Sequence, residues 1–393
     1  MSDVVILSAT RTPMGAFQGA LASVPAPQLG ATAIRGAVTQ AKIAPADVTD
    51  VFMGNVLQAG LGQAPARQAA IHAGLSPATR CVTVHKVCGS GLEAVILGSR
   101  ALRLGEATMV VAGGMENMSA APYLLPKARE GYWLGHQQVV DSMIHDGLWD
   151  PYNNLHMGNC AEQCARKYHF TRQEQDAYAA ESFRRANAAQ QEGRFAQEIT
   201  PVEIANPRGK AGVVDRDEGP SRVNYEKIPT LRPAFDPTAG TITAANASTL
   251  NDGAAALVLT TDELARERGL KPLARIVSFG SHAQDPVWFT TAPVPAAQAA
   301  LQRAGWGSDE VDLWEVNEAF AVVAMAFRRD LGLAADRVNV RGGAIALGHP
   351  IGCSGARILV TLLAALRERG ARRGVGAICI GGGEGLAACV ELV

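Results

Sequence analysis

Four side chains in this sequence stand where a side chain can react: Cys88, Asn317, His349 and Cys379. The β-branched run Cys81-Val82-Thr83-Val84 reads as the end of a strand. After Cys88 come Gly89-Ser90-Gly91 and then apolar residues at helical spacing, Leu92, Val95, Ile96 and Leu102. A cysteine between a strand end and a helix start faces unpaired N–H groups, whose partial positive charge favours a thiolate. The glycines let backbone N–H groups approach whatever bonds to the sulfur. Such a cysteine is a nucleophile or, as most cysteines are, a small buried hydrophobe; this stretch alone leaves both readings open.

Three stretches of the second half bear on the choice. Asn317-Glu318-Ala319-Phe320 follows a strand. Arg341-Gly342-Gly343-Ala344-Ile345-Ala346-Leu347-Gly348-His349-Pro350-Ile351-Gly352 routes a histidine tightly among glycines, as a site does and a core does not. Cys379-Ile380-Gly381-Gly382-Gly383 sets a second thiol at a turn with exposed N–H groups. Two cysteines, a histidine and an asparagine can divide one task. One thiolate takes an acyl group, the histidine takes that thiol's proton, and N–H groups or a held water steady an oxyanion. The second thiol then moves a proton at carbon, which fits carbon–carbon bond making or breaking at a thioester.

The elements that position these residues form a repeated α/β pattern. Strand Val4–Ser8, helix Gln28–Ala41, strand Val51–Val56, helix Ala64–Ala73, the Cys88 unit with its helix to Leu104, and strand Thr108–Ala112, stopping at Gly113-Gly114, make one layered unit. Residues 122–249 differ, with Tyr, Trp and His residues and amphipathic helices at Ala161–Lys167 and Arg172–Glu192. They read as an excursion laid over that unit, ending where Asn251-Asp252-Gly253 turns into strand Ala254–Thr260. From Pro272 the pattern restarts, with strand Leu273–Phe279, helix Ala296–Ala304, strand Val311–Asn317, helix Gly352–Leu366 and strand Gly376–Ile380. An internal duplication follows, and two such halves place a site on their boundary. The division expected is a first half at 1–121 completed by 250–271, an inserted loop domain at 122–249, and a second half at 272–393.

With 393 residues, 48% hydrophobic and 19% charged, the chain has the make-up of a globular protein of more than one domain. A net charge of −1 with no long basic run argues against nucleic acid as a partner, and no apolar run is long enough to span a membrane. The chain enters a strand at Val4-Val5-Ile6-Leu7 without a basic-then-apolar leader, and its seven scattered cysteines argue against a disulfide framework; the expected compartment is the reduced cytoplasm. Cys160-x3-Cys164 lacks the second short-spaced pair that a zinc site would need.

The motifs Cys88-Gly89-Ser90-Gly91, Gly113-Gly114-Met115-Glu116-Asn117-Met118-Ser119, His156-Met157-Gly158, Asn246-Ala247-Ser248-x-x-Asn251-Asp252-Gly253-Ala254-Ala255, Asn317-Glu318-Ala319-Phe320, Gly348-His349-Pro350-Ile351-Gly352 and Cys379-x-Gly381-Gly382-Gly383 resemble, in order and spacing, those of the thiolases. Within that family the chain looks most like the short-chain acetoacetyl-CoA thiolases. The resemblance implies an α/β fold of five layers, αβαβα, with residues 122–249 over coenzyme A, and a homotetramer. It implies Cys88 as the acylated nucleophile, His349 as its activator, Cys379 as acid and base at the substrate's α-carbon, and Asn317 with His349 as one oxyanion hole. The N–H groups of Cys88 and Gly381 form the other. Coenzyme A is substrate and product, and no metal is required. Contacts to the acyl-CoA are carried over to Leu148, His156, Met157, Arg222, Lys227, Phe235, Ala244, Ser248 and Phe320. Ser221–Pro229, Thr243–Ser248 and Tyr152 resemble the potassium-responsive members, which implies an ion near Tyr152, Ala244, Ala245, Ala247 and Ile345.

Two features depart from the commonest family pattern. His85-Lys86 replaces Asn-Arg or Asn-Lys, and His85 is expected to be a satisfied core histidine. Trp288-Phe289-Thr290-Thr291-Ala292-Pro293 replaces Met-Gly-x-Gly-Pro, which leaves the pocket rim, and with it the acyl preference, open. The leading reading is reversible condensation of two acetyl-CoA molecules. The alternatives are a thiolase for longer or branched 3-ketoacyl-CoA, a decarboxylating condensing enzyme, for which Cys379 would be superfluous, and a non-catalytic acyl-CoA carrier.

Overall fold

The computed structural model describes residues 3–204 and 212–393, so residues 205–211 of the expected loop domain and 1–2 of the first half lie outside the described residues. The main elements are β1 (Val4–Arg11), α1 (Ala26–Ala41), β2 (Asp50–Gly54), α2 (Pro65–His72), β3 (Arg80–Val84), α3 (Ser90–Arg103) and β4 (Met109–Asn117). Then come α4 (Met157–Tyr168), α5 (Arg172–Gln191), β5 (Asn251–Thr261), α6 (Asp262–Glu267), β6 (Ala274–Ala283), α7 (Pro293–Ala304), β7 (Leu313–Val316) and α8 (Ala321–Asp330). The chain closes with α9 (Ala344–Leu347), α10 (Ile351–Arg369), β8 (Arg373–Ile380) and β9 (Glu384–Leu392).

The strands follow one hydrogen-bonded path, β7-β8-β9-β6-β1-β5-β4-β2-β3. Its two ends mirror each other about the β1–β6 seam, where Val4, Val5 and Ile6 pair with Ile276, Arg275 and Ala274. In each half the last strand lies between the first and the next-to-last, antiparallel to both, and the next-to-last pairs in parallel with the second. The register slips at Ile6/Ser8 in one half and at Ile276/Ser278 in the other. After each slip a serine donates to a helix carbonyl, Ser8 Oγ to Ala37 O at 2.6 Å and Ser278 Oγ to Ala300 O at 2.7 Å. The duplication thus reaches single bulges and side-chain bonds.

The apolar cores give the layer order. One core joins α1 and α2 to the outer face of the first half's strands, and a second joins α3 and α10 to strands of both halves. A third joins α7, α8 and α4 to the outer face of the second half's strands. The result is helix, sheet, helix, sheet, helix, the five-layered α/β arrangement expected. Burial on both faces accounts for β1 and β4, whose residues are all buried.

Three expectations need correction. Gly113-Gly114 does not end its strand: β4 runs on to Asn117, paired with β5 from Thr260 to Asp252, so Asn251-Asp252-Gly253 is strand rather than turn. These glycines serve close approach, since a Cβ on Gly114 would lie 2.0 Å from the Gly352 carbonyl oxygen and one on Gly113 2.0 Å from that of Ala255. The excursion is not merely laid over the layers, because α4 is part of the second half's outer core and α5 packs on α9. The final strand β9 escaped the sequence reading because Leu386-Ala387-Ala388-Cys389-Val390 is a short apolar run without alternation, a pattern that periodicity alone does not assign.

Candidate active site

The first reactive turn joins β3 to α3. Cys88 is half-buried there, two residues before Ser90 opens the helix. Its Sγ accepts hydrogen bonds from its own backbone N–H and from that of Gly381, at the end of β8 in the other half. Burial nevertheless pushes the thiol up to about 11, and the nearby Glu116 adds to the rise. The resting sulfur is therefore a thiol that needs a base.

His349 has the position and the protonation state that a base for this thiol requires. It is buried on the same cavity floor as Cys88, two residues before α10. Burial, and then the Arg357 charge, hold its imidazolium down to about 3, so the ring is neutral. Ser354 Oγ donates to Pro350 O at 3.0 Å, and its oxygen lies 2.6 Å from His349 Nδ1. That hydroxyl has one proton, so Nδ1 carries the ring's hydrogen and Nε2 keeps its lone pair free. The Asn317 amide nitrogen lies 3.5 Å from Nε2, at the outer limit of a hydrogen bond. The main chain is fixed by His349 N–H bonds to Asn251 Oδ1 at 3.0 Å and Thr249 O at 3.2 Å.

Cys379 is fully buried near the end of β8. Burial, and then the neighbouring Cys88 sulfur, push its thiol well above the usual range, so the two sulfurs are within electrostatic reach across the half boundary. Asn317 is fully buried at the end of β7, its N–H bonded to Ala377 O at 2.9 Å and its side-chain oxygen without a partner among the described residues. Cys379 and Asn317 lie behind the cavity surface, whereas Cys88, His349 and Gly381 form it.

Sequence reasoning assigned no role to Glu116. Fully buried, it accepts from Asn55 Nδ2 at 2.7 Å and from the N–H groups of Val56 at 3.0 Å, Leu57 at 3.1 Å and Gly352 at 2.9 Å. Burial still lifts its carboxyl to about 7. It ties the loop after β2 to the first turn of α10, hence to His349. The signal was a carboxylate inside the apolar strand sequence Met109–Asn117, which only a full set of donors makes tolerable. Glu318 does similar work elsewhere: it accepts from Tyr178, Ser182, Asn339 and the Ile345 N–H at 2.7–3.2 Å, joining α5 to α9.

Above the floor opens a cavity of about 750 Å³. All nine residues expected to touch the acyl-CoA line it: Leu148, His156, Met157, Arg222, Lys227, Phe235, Ala244, Ser248 and Phe320. His156 caps α4 by accepting from Gly158 N–H at 3.0 Å and stacks on Phe235 at 4.7 Å, and burial holds it neutral. Arg222 and Lys227 are exposed, and Arg222 pairs with Glu218 at 2.7 Å. Ala245, Ala247 and Ile345 line the same cavity. Tyr152 does not: it is 72% exposed, with its ring near Gly382.

One further expectation is corrected. His85 is exposed rather than a core histidine, its Nδ1 accepting from Val87 N–H at 3.4 Å; it lies just past the end of the edge strand β3, where no second layer covers it. Of the Trp288–Pro293 segment, Trp288 lies outside the cavity lining. It packs beneath the Lys167 ammonium at 4.3 Å, and its neighbour Phe289 lines the cavity, edge-on to Phe320 at 6.4 Å.

Comparison with known proteins agrees along the whole chain. The family described as Thiolase, N-terminal domain matches residues 4–263, and Thiolase, C-terminal domain matches residues 270–392. Acetyl-CoA acetyltransferase 2 of Arabidopsis thaliana is 52% identical over 392 residues, covering 100% of this chain and 97% of that protein. The acetyl-CoA acetyltransferase of Cupriavidus necator is 51% identical, with 100% of both chains covered. Among solved structures, the Acat5 thiolase of Ascaris suum in complex with coenzyme A superposes with a TM-score of 0.94 at 44% identity, each chain covered in full.

Proposed function

The chain belongs to the thiolase family, and from that premise we propose how its residues carry out the reaction of an acetyl-CoA C-acetyltransferase. It is an acyltransferase that condenses two acetyl-CoA molecules to acetoacetyl-CoA and coenzyme A, and reverses that reaction. One observation carries the residue assignments: a cavity of about 750 Å³ ends on Cys88, His349 and Gly381.

In the synthetic direction His349 Nε2 takes the Cys88 proton, and Sγ attacks the acetyl carbonyl. The N–H groups of Cys88 and Gly381, already aimed at the sulfur, hold the oxyanion. The coenzyme A thiolate leaves with the proton of Cys379, and acetyl-Cys88 remains. Cys379, now a thiolate, removes a proton from the methyl carbon of a second acetyl-CoA. The burial that raises its pKa makes it the strong base which that weak carbon acid requires. His349 Nε2–H, with a water held near Asn317, steadies the enolate oxygen. The enolate carbon attacks acetyl-Cys88, and the departing Cys88 sulfur recovers its proton from His349.

In this reading residues 122–249 act as the cover over coenzyme A between halves 1–121 with 250–271 and 272–393. Arg222 and Lys227 meet the nucleotide phosphates, and Leu148, His156, Met157, Phe235, Ala244, Ser248 and Phe320 meet the pantetheine arm and acyl group. Potassium binding is carried as a proposal on Ala244, Ala245, Ala247 and Ile345, which share one cavity, and without Tyr152, whose place outside the lining does not fit a ligand; equal activity in sodium and potassium buffers would remove it. Self-association to a homotetramer is supported by exposed Trp133, Leu134 and Val139 on one arm of the cover. A reducing, cytoplasmic compartment is supported by seven unpaired cysteines.

The deciding experiment incubates the protein with acetyl-CoA and maps the product by mass spectrometry. One acetyl group on Cys88, and turnover of acetoacetyl-CoA faster than that of a six-carbon 3-ketoacyl-CoA, is the expected result. An unmodified Cys88 overturns the assignment.

A further inference from the structure

Val87, immediately before the nucleophile, has φ of +43°. A β-branched residue is strained in that left-handed region, and among the described residues with positive φ it is the one β-branched case. Such strain persists only where its surroundings fix it. Here Ser90, fully buried, grips the turn by its N–H, bonded to Val87 O at 3.1 Å, and by its hydroxyl. Its Oγ donates to Val87 O at 2.7 Å and accepts from Lys86 N–H at 2.8 Å. The capping place before the helix belongs to Gly89, so the Ser90 oxygen makes none of the forward bonds of a capping serine. Ser90 instead reaches backward and closes a ring over residues 86–90, with Gly89 N–H bonded to Lys86 O at 3.0 Å inside it. The ring has little room to relax. A Cβ on Gly89 would lie 2.4 Å from Ile380 Cδ1, beside Gly381, and one on Gly91 would lie 2.8 Å from the Ala356 N.

We infer that Ser90 is a positioning residue: by holding Val87 in the left-handed conformation it aims the Cys88 N–H and Sγ at the point that Gly381 N–H reaches from the other half. The inference rests on the acyl-transfer reading above, because the N–H it aims is the one that holds the oxyanion. Without the hydroxyl, Val87 relaxes toward negative φ, the peptide between Val87 and Cys88 turns, and the paired donors no longer converge. Substrate binding along the cavity walls is untouched, so the loss falls on kcat rather than KM.

The test compares Ser90→Ala, Val87→Gly and the double variant. Glycine adopts positive φ without strain and has no need of the clamp. Ser90→Ala should lower kcat per titrated Cys88 by about 100-fold, the scale of a small misplacement, with KM for acetyl-CoA within about twofold. Val87→Gly alone should stay within about threefold of the parent, and the double variant should recover at least about tenfold over Ser90→Ala. A purely structural serine predicts instead a lower melting temperature, unchanged kcat per titrated site, and no rescue. Either an unimpaired Ser90→Ala or a double variant no better than it overturns the inference. Should Ser90→Ala not fold, a double variant that folds and turns over near the parental rate supports it, and one that is inactive overturns it. Acetylation of the parent's Cys88 is measured alongside; its failure counts against the acyl-transfer reading itself rather than against Ser90.

Discussion

Cys88 and His349 occupy the same place in the two halves: each stands two residues before the first residue of a central helix, Ser90 of α3 and Ile351 of α10. The two helices share the middle layer, so both N-termini open on one cavity floor. Helix N-termini favour an anion and disfavour an imidazolium. In the proposed mechanism one duplicated position therefore supplies a sulfur beside oxyanion donors in one copy and a neutral base in the other.

The two cysteines should separate cleanly by substitution. Cys88→Ala is expected to abolish acetyl-enzyme formation. Cys379→Ala is expected to acquire the acetyl group and lose condensation by about 1000-fold or more, as loss of a general base does. Mass spectrometry of the intact protein after acetyl-CoA exposure, with acetoacetyl-CoA turnover, reads both; equal acylation with retained turnover in either variant would reverse the roles.

His349, held at about 3 by burial and then by Arg357, is neutral throughout the neutral range. The Cys88 thiol, at about 11, ionises in that range only by giving its proton to the imidazole. His349→Ala should therefore slow alkylation of Cys88 by iodoacetamide about 100-fold, and the remaining rate should climb about tenfold per pH unit between about pH 7 and about pH 9. A plateau over that interval would mean that some other base serves the sulfur.

Glu116 gives a stability signature of defined sign. Its carboxyl is raised from 4.5 to about 7, chiefly by burial. Below 4.5 it is protonated both folded and unfolded, and its contribution to stability is fully present there. As pH rises through 7 the unfolded chain ionises first, and that contribution is lost. Glu116→Gln removes this loss. Guanidinium titrations should show the variant gaining about 2 kcal/mol on the parent between about pH 5 and about pH 8, from whatever lower baseline its altered hydrogen bonds set. Parallel profiles would show that Glu116 stays ionised.

Arg11 is fully buried between Glu198 at 2.6 Å and Asp217 at 2.7 Å, and Arg341 meets the other Glu198 oxygen at 3.1 Å. Arg11→Met leaves buried Asp217 without its guanidinium partner and Glu198 with Arg341 alone, and should cost about 3–5 kcal/mol in denaturant unfolding. Arg266→Met, which breaks the exposed pair with Asp262, should cost under about 0.5 kcal/mol. Similar costs for both would show that the cluster is solvated.

The proposed reacting groups stood out in the sequence because their backbone surroundings are written in glycine. Cys88 and His349 sit in glycine-containing turns that lead into helices, and Cys379 lies near the end of a strand just before Gly381-Gly382-Gly383, so each is close to turn N–H groups. What supports them was not legible. Glu116 and Ser354 act through partners far away in the chain or through one rotamer, and neither leaves a mark on periodicity. His85 looked like a core residue because it follows a β-branched run, but the strand is at the sheet's edge, and edges are set by topology. Gly113-Gly114 looked like a stop because the close packing of Gly352 and Ala255 against it is visible only in three dimensions.

The β1–β6 seam has a consequence for how a long ligand gets in. Three consecutive residue pairs weld the halves along one edge, so the floor has no hinge and the two copies cannot gape like jaws. A thioester with a nucleotide tail must be threaded from the covered side instead. In the proposed reading that side is residues 122–249, so the segment that has to part for the tail is the insertion and not either half.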